Sequence, residues 1–149
     1  MAPLIALVLG TLAARLVGWL GVDYVSTWPS AIAIGLAMMF AVTGVAHFVN
    51  PLRRDLIAIV PPPLPAPASL VTATGVLELL GAVGLLYPPT RAAAALSLGV
   101  LMLAMFPANV HAARMENPPK SMTTRLPLRT VEQVVFVGAA LVVGLGVIQ

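Results

Sequence analysis

Five long apolar runs hold most of this chain, and the stretches between them carry most of its charge. That pattern restricts the fold to helices packed within a bilayer. The run from Ala31 to Phe48 alone rises roughly 27 Å at 1.5 Å per residue, about the thickness of the hydrocarbon layer. Composition points the same way, with 60% hydrophobic residues, 9% charged residues and a mean hydropathy of +1.01. Those values exclude an ordinary soluble domain. The net charge of +3 comes from few charges in total, so it bears on orientation and not on nucleic acid, and no basic patch interleaved with aromatics is present. The chain has no cysteine, which removes thiol–disulfide exchange and thiolate metal ligation. At 149 residues one all-α, polytopic membrane bundle is the natural unit.

The spacing predicts spanning helices over about 3–22, 31–48, 68–87, 92–113 and 128–148. The first lacks the basic leader region of a cleavable signal peptide and reads as a retained helix. Its Gly10, Ala14 and Gly18 recur every four residues, a stripe of small residues along which another helix can approach closely. Pro29 suits the first turn of the second helix, and Asn50-Pro51 ends it. The loop 51–67 opens with an interfacial segment, Leu52 to Val60, that is too short to span. Pro61, Pro62, Pro63, Pro65 and Pro67 then predict a stiff, extended connector. A tight turn is expected at Tyr87 to Arg91, and a kink at Pro107 in the fourth helix.

If all five runs span, Arg53, Arg54, Arg114, Lys120, Arg125 and Arg129 share one side and only Arg91 flanks a helix on the other. The positive-inside rule makes the first side cytoplasmic, with the N-terminus inside and the C-terminus outside a cell membrane. Trp19, Tyr24, Trp28 and Tyr87 fall at the opposite interface, as an aromatic belt would. No internal repeat of the transporter kind is evident.

Few polar residues lie inside the helices, and their depths suggest one cavity. Counted from the basic side, His47, Asn109, His111 and Gln133 fall in the inner third, while Glu78 and Arg15 lie deeper. A lipid-facing carboxylate would cost several kcal/mol, so Glu78 must find a partner, stay protonated or line a polar cavity. One solution is a buried ion pair with Arg15; another is ligand or proton handling. His47 and His111, near helix ends, suit interfacial hydrogen bonding. As haem b ligands they would have to face each other at matched depth, which weighs against that cofactor. Met102, Met105 and Phe106 give an adaptable apolar wall leading to Asn109. No metal-ligand spacing, nucleotide-binding motif or Ser-His-Asp set occurs.

Several segments resemble the DoxX-like family of small membrane proteins. Gly44-Val-Ala-His47-Phe48-Val-Asn-Pro51 and Ile59-Val-Pro61-Pro-Pro-Leu-Pro65 are similar to that family's first core helix and the loop after it. Thr74-Gly75-Val-Leu-Glu78-Leu79-Leu-Gly81 and Phe106-Pro107-Ala-Asn109-Val110 resemble its second and third core helices. The resemblance implies a four-helix core with the Pro3 to Val22 helix as an addition. It further implies links to quinone-coupled thiosulfate oxidation and membrane redox complexes, and more distantly to receptor-assembly chaperones.

Three functions of different classes follow as expectations. The first is a membrane subunit or anchor of a redox system that binds quinone or another lipophile, where a quinone carbonyl would find a donor and a protonatable group near His47, Glu78 and Asn109. The second is an assembly chaperone or interaction protein. The third is a proton-coupled carrier in which Glu78 alternates between proton and substrate. The partners expected are the lipid bilayer, a membrane or peripheral redox protein, and a second copy of the chain.

Overall fold

The computed structural model describes residues 1–146. They form six α-helices and two short 3-10 turns, with no strand among the described residues: α1 (Ala2–Trp19), α2 (Trp28–Ala46), α3 (Leu52–Ala58), α4 (Pro67–Leu86), α5 (Pro88–Arg114) and α6 (Leu126–Leu145). Five of these, all but α3, are long and apolar enough to cross a membrane. The chain is therefore all-helical and has the make-up of a multi-pass membrane protein.

Local chemistry sets the helix ends and shifts several from their expected places. The first helix stops at Trp19, three residues short of Val22, because the chain turns at Gly21 with φ +98°, a conformation glycine adopts without a Cβ penalty. Thr27 caps α2 by accepting the Ser30 N–H at 3.3 Å, with Pro29 in the first turn. The turn expected over Tyr87 to Arg91 shrinks to Tyr87 alone. Pro88 and Pro89 sit in the first turn of α5, where their missing N–H groups cost nothing. The α5 helix continues through Pro107 to Arg114. The proline-rich connector is not simply extended either, since Leu64 N–H returns to the Pro61 carbonyl at 3.0 Å and closes a turn over Pro62 and Pro63. The last helix covers 126–145, and its expected end at position 148 lies outside the described residues.

Four helices close a ring in which α2 packs on α4, α4 on α5, α5 on α6 and α6 back on α2, while α1 packs on α2 from outside. Leu36, Met39, Phe40, Leu85 and Leu98 fill the core of the ring. Many large apolar side chains point outward instead, among them Leu80, Val83, Val100, Leu103 and Val134, as a lipid-facing surface requires. The small-residue stripe of α1 faces inward: a Cβ at Gly10 would lie 3.0 Å from the Gly35 Cα of α2, and Ala14 is buried with Val25 and Ala31. The two long loops meet at one end of the bundle, where Ser121 donates to Asp55 Oδ2 at 2.5 Å. At the other end the Tyr24 hydroxyl donates to the Leu86 carbonyl.

Candidate functional site

Glycines bring α2 and α4 close enough to join their polar residues. A Cβ at Gly44 would lie 2.8 Å from Leu79, and one at Gly75 would lie 2.5 Å from His47 Cβ. Across this close contact the Thr43 hydroxyl donates to Glu78 Oε2 at 2.5 Å. Glu78 and His47 are the buried polar residues among those described, at 5% and 3% exposure. His47 Nδ1 lies 2.8 Å from the Thr43 carbonyl. A carbonyl only accepts, so Nδ1 carries a proton and Nε2 is left as the ring's other polar atom. Thr43 thus holds both side chains, one through its hydroxyl and one through its backbone. Arg53 braces the same corner, donating to the His47 carbonyl at 2.7 Å and to Thr72 of α4 at 2.9 Å.

These groups line a partly open cavity of about 500 Å³, walled by the ring, the start of α1, Leu52 and Leu56 of α3, and the segment before α6. Met39, Phe40, Met102, Met105 and Phe136 make it largely apolar and deformable. Its polar lining divides between two walls. On the α2–α4 wall stand Thr43, His47 and Glu78; on the α5–α6 wall stand Asn109, Arg129, Glu132 and Gln133. Arg129 donates to Asn109 Oδ1 at 2.7 Å, to the Met122 carbonyl at 2.7 Å and to the Thr124 carbonyl at 2.9 Å. Gln133 Nε2 and Glu132 Oε1 are buried without a hydrogen-bond partner, although the Met1 amino group lies 3.5 Å from that oxygen. An unsatisfied buried amide donor on a cavity wall is a position that a ligand acceptor would relieve.

The expected site residues divide accordingly. Four of them, His47, Glu78, Asn109 and Gln133, line the one cavity; His111 does not. The two imidazoles therefore do not line this cavity together, as a haem b held there between them would require. Arg15 is not the charge partner of Glu78. Its guanidinium lies 5.2 Å from each of the Trp19 and Trp28 ring centroids and donates to the Ser26 carbonyl. Near the end of α1, a long side chain reaches Trp19, Trp28 and the Ser26 carbonyl more readily than the bundle interior, and two ring faces and a carbonyl satisfy much of what a carboxylate would. Arg91 is held in the same manner, 5.0 Å from the Tyr24 centroid and bonded to Ser30 and the Leu85 carbonyl.

Two cavity residues carried no site signal in the sequence. Arg129 reads there only as one of the basic residues that set orientation, and Glu132 draws no notice near a helix start. Their spacing of three, with Gln133 beside them, puts this polar group on one turn of α6 and was the available clue. Among the described residues no group of three or more His, Cys, Asp or Glu side chains could hold a metal ion.

Residues 36–144 match a family described as a domain of unknown function, DUF8561, a span that covers most of the four-helix ring and omits α1. No curated protein and no solved structure matches the chain.

Proposed function

From its own residues we propose that this chain, which belongs to the DUF8561 family, is a membrane subunit or anchor of a redox system, binding a quinone or a similar lipophile in the cavity between α2, α4, α5 and α6. The observation that carries this reading is the placement of Glu78, bonded to Thr43 on the wall of an otherwise apolar cavity of about 500 Å³. That volume lies in the range of ordinary small-molecule sites, roughly 300–1,000 Å³. A quinone has two carbonyl oxygens on a flat apolar ring. Gln133 Nε2 is a free donor for one, Glu78 is a carboxyl able to exchange a proton with the other, and the methionine and phenylalanine side chains accept the ring.

The DoxX-like resemblance of Gly44 to Pro51 and of Thr74 to Gly81 supports the same reading, as does a four-helix ring with α1 added outside it. In this proposal the end bearing Arg53, Arg54, Arg114, Lys120 and Arg125 faces the cytoplasm, so the cavity is nearer the inner leaflet. A redox partner would then reach the ligand from that side.

Mass spectrometry and an absorption spectrum of gently purified protein test the proposal. The expected result is a stoichiometric quinone or comparable lipophile and no haem band. An empty cavity with a co-purifying membrane protein would overturn it in favour of an assembly role.

A further inference from the structure

The segment between α5 and α6, residues 115–125, crosses the loop end of the cavity, and its Ser121, Met122 and Thr124 form part of the lining. It is fastened at two places. Inside, the Arg129 guanidinium uses all three of its nitrogens, holding the Met122 and Thr124 carbonyls of the segment and Asn109 Oδ1 of α5. Outside, Ser121 is tied to Asp55 of α3, the short helix that contacts the segment's 3-10 turn (Lys120–Met122). The segment itself is poor in apolar anchors. It contains Glu116, Asn117, Pro118, Pro119 and Lys120, none of them buried. Its position therefore depends on a few polar contacts at its second half and not on a packed core.

We propose that this segment is a gate over the loop-side mouth of the cavity and that Arg129 is its latch, a positioning residue that controls access. The inference deepens the ligand-binding reading of the same cavity, but its test needs no ligand. The three-way reach of the latch explains why an arginine stands at a cavity wall. One guanidinium joins α5, α6 and the segment at once, and a lysine could not reproduce its fixed fork of donors. Opening requires the two carbonyls to leave Arg129 and Ser121 to leave Asp55, after which water reaches the methionine-lined interior.

The absence of native cysteine makes access directly measurable. Met102→Cys places a thiol on the cavity wall, and Leu64→Cys places one on an exposed loop at the same end of the bundle, outside the cavity, as a control. The rate at which a membrane-impermeant cationic methanethiosulfonate modifies Cys at position 102 is measured with and without the latch. Arg129→Gln should raise that rate roughly tenfold or more, since one lost charge-assisted hydrogen bond is worth about that factor in an opening equilibrium. Arg129→Lys should fall between, and the control at position 64 should be modified at the same rate with and without the latch. If Arg129→Gln fails to fold, Asp55→Asn, which loosens the outer tie and leaves the cavity lining untouched, should raise the rate less but measurably. Unchanged rates at position 102 in the folded latch variants would overturn the gate and place entry between helices from the lipid. Because the reagent itself is the probe, that result is distinct from a failure to find a bound lipophile.

Discussion

Gly75→Ala tests whether the close approach of α2 and α4 builds the site. The new methyl carbon would lie 2.5 Å from His47 Cβ, 2.9 Å from His47 Cγ and 2.9 Å from Phe48 Cε2, against an ordinary carbon contact of about 3.5–4.0 Å. His47 Cβ belongs to the rigid stub of its side chain, so the helices must separate by about 1 Å. Overpacking of this kind costs about 1–3 kcal/mol, and an atom this close to the backbone argues for the upper end. Separation also strains the Thr43–Glu78 bond, which at the average for interhelical bonds in membranes is worth about 0.6 kcal/mol. Alanine's better helix propensity returns about 1 kcal/mol. The net expectation is a loss of about 2–3 kcal/mol in reversible unfolding from detergent micelles. Gly138→Ala in α6 is the matched control, because nothing lies within 4 Å of its added Cβ, and it should be neutral or gain up to about 1 kcal/mol. If the two alanines unfold within 0.5 kcal/mol of each other, taken as about the noise of such comparisons, glycine packing does not set this interface.

Thr43→Val keeps the side-chain shape but removes the hydroxyl that donates to Glu78; a loss of about 0.6–1.7 kcal/mol in the same unfolding assay is expected, and no loss would mean the bond contributes nothing. Arg15→Leu should cost about 1–3 kcal/mol through its two tryptophan contacts and its bond to Ser26. Combined with Glu78→Leu its effect should add within about 0.5 kcal/mol, since the two side chains share no partner; recovery in the double variant would restore the ion pair that the geometry rules out.

Depth along a helix was legible in the sequence, and rotation about the helix was only partly so. Counting rises from the basic loops put His47, Asn109 and Gln133 at similar levels, and hydrogen-bonding chemistry argued that Glu78 must face inward; all four line the cavity. The same counting put His111 beside them. It is two positions from Asn109, which turns it roughly 200° around α5 and away from the cavity. Arg15 misled for another reason. Opposite charges at matched depth suggested a pair, but a flexible arginine has aromatic faces and carbonyls as alternatives, and the segment from Trp19 to Trp28 supplies them. In the sequence Arg129 reads only as one of the basic residues that set orientation, because two of its partners, the Met122 and Thr124 carbonyls, are backbone groups that no residue-type pattern reveals. The helices themselves were plain from hydropathy, with ends displaced by a few residues where Gly21, Pro88 and Pro89 act locally.

In the proposed ligand-binding reading, Glu78 gives the cavity its affinity for a quinone-like head group. Decylubiquinone is titrated into the protein in lipid nanodiscs, wild type against Glu78→Gln, with quenching of a tryptophan placed at position 136 as the readout and the melting temperature as the fold control. Saturable binding at one site per chain, weakened about tenfold or more in a Glu78→Gln protein that melts as the wild type does, is the predicted result. Equal binding by both proteins, or none by either, would mean that Glu78 does not confer quinone affinity on this cavity.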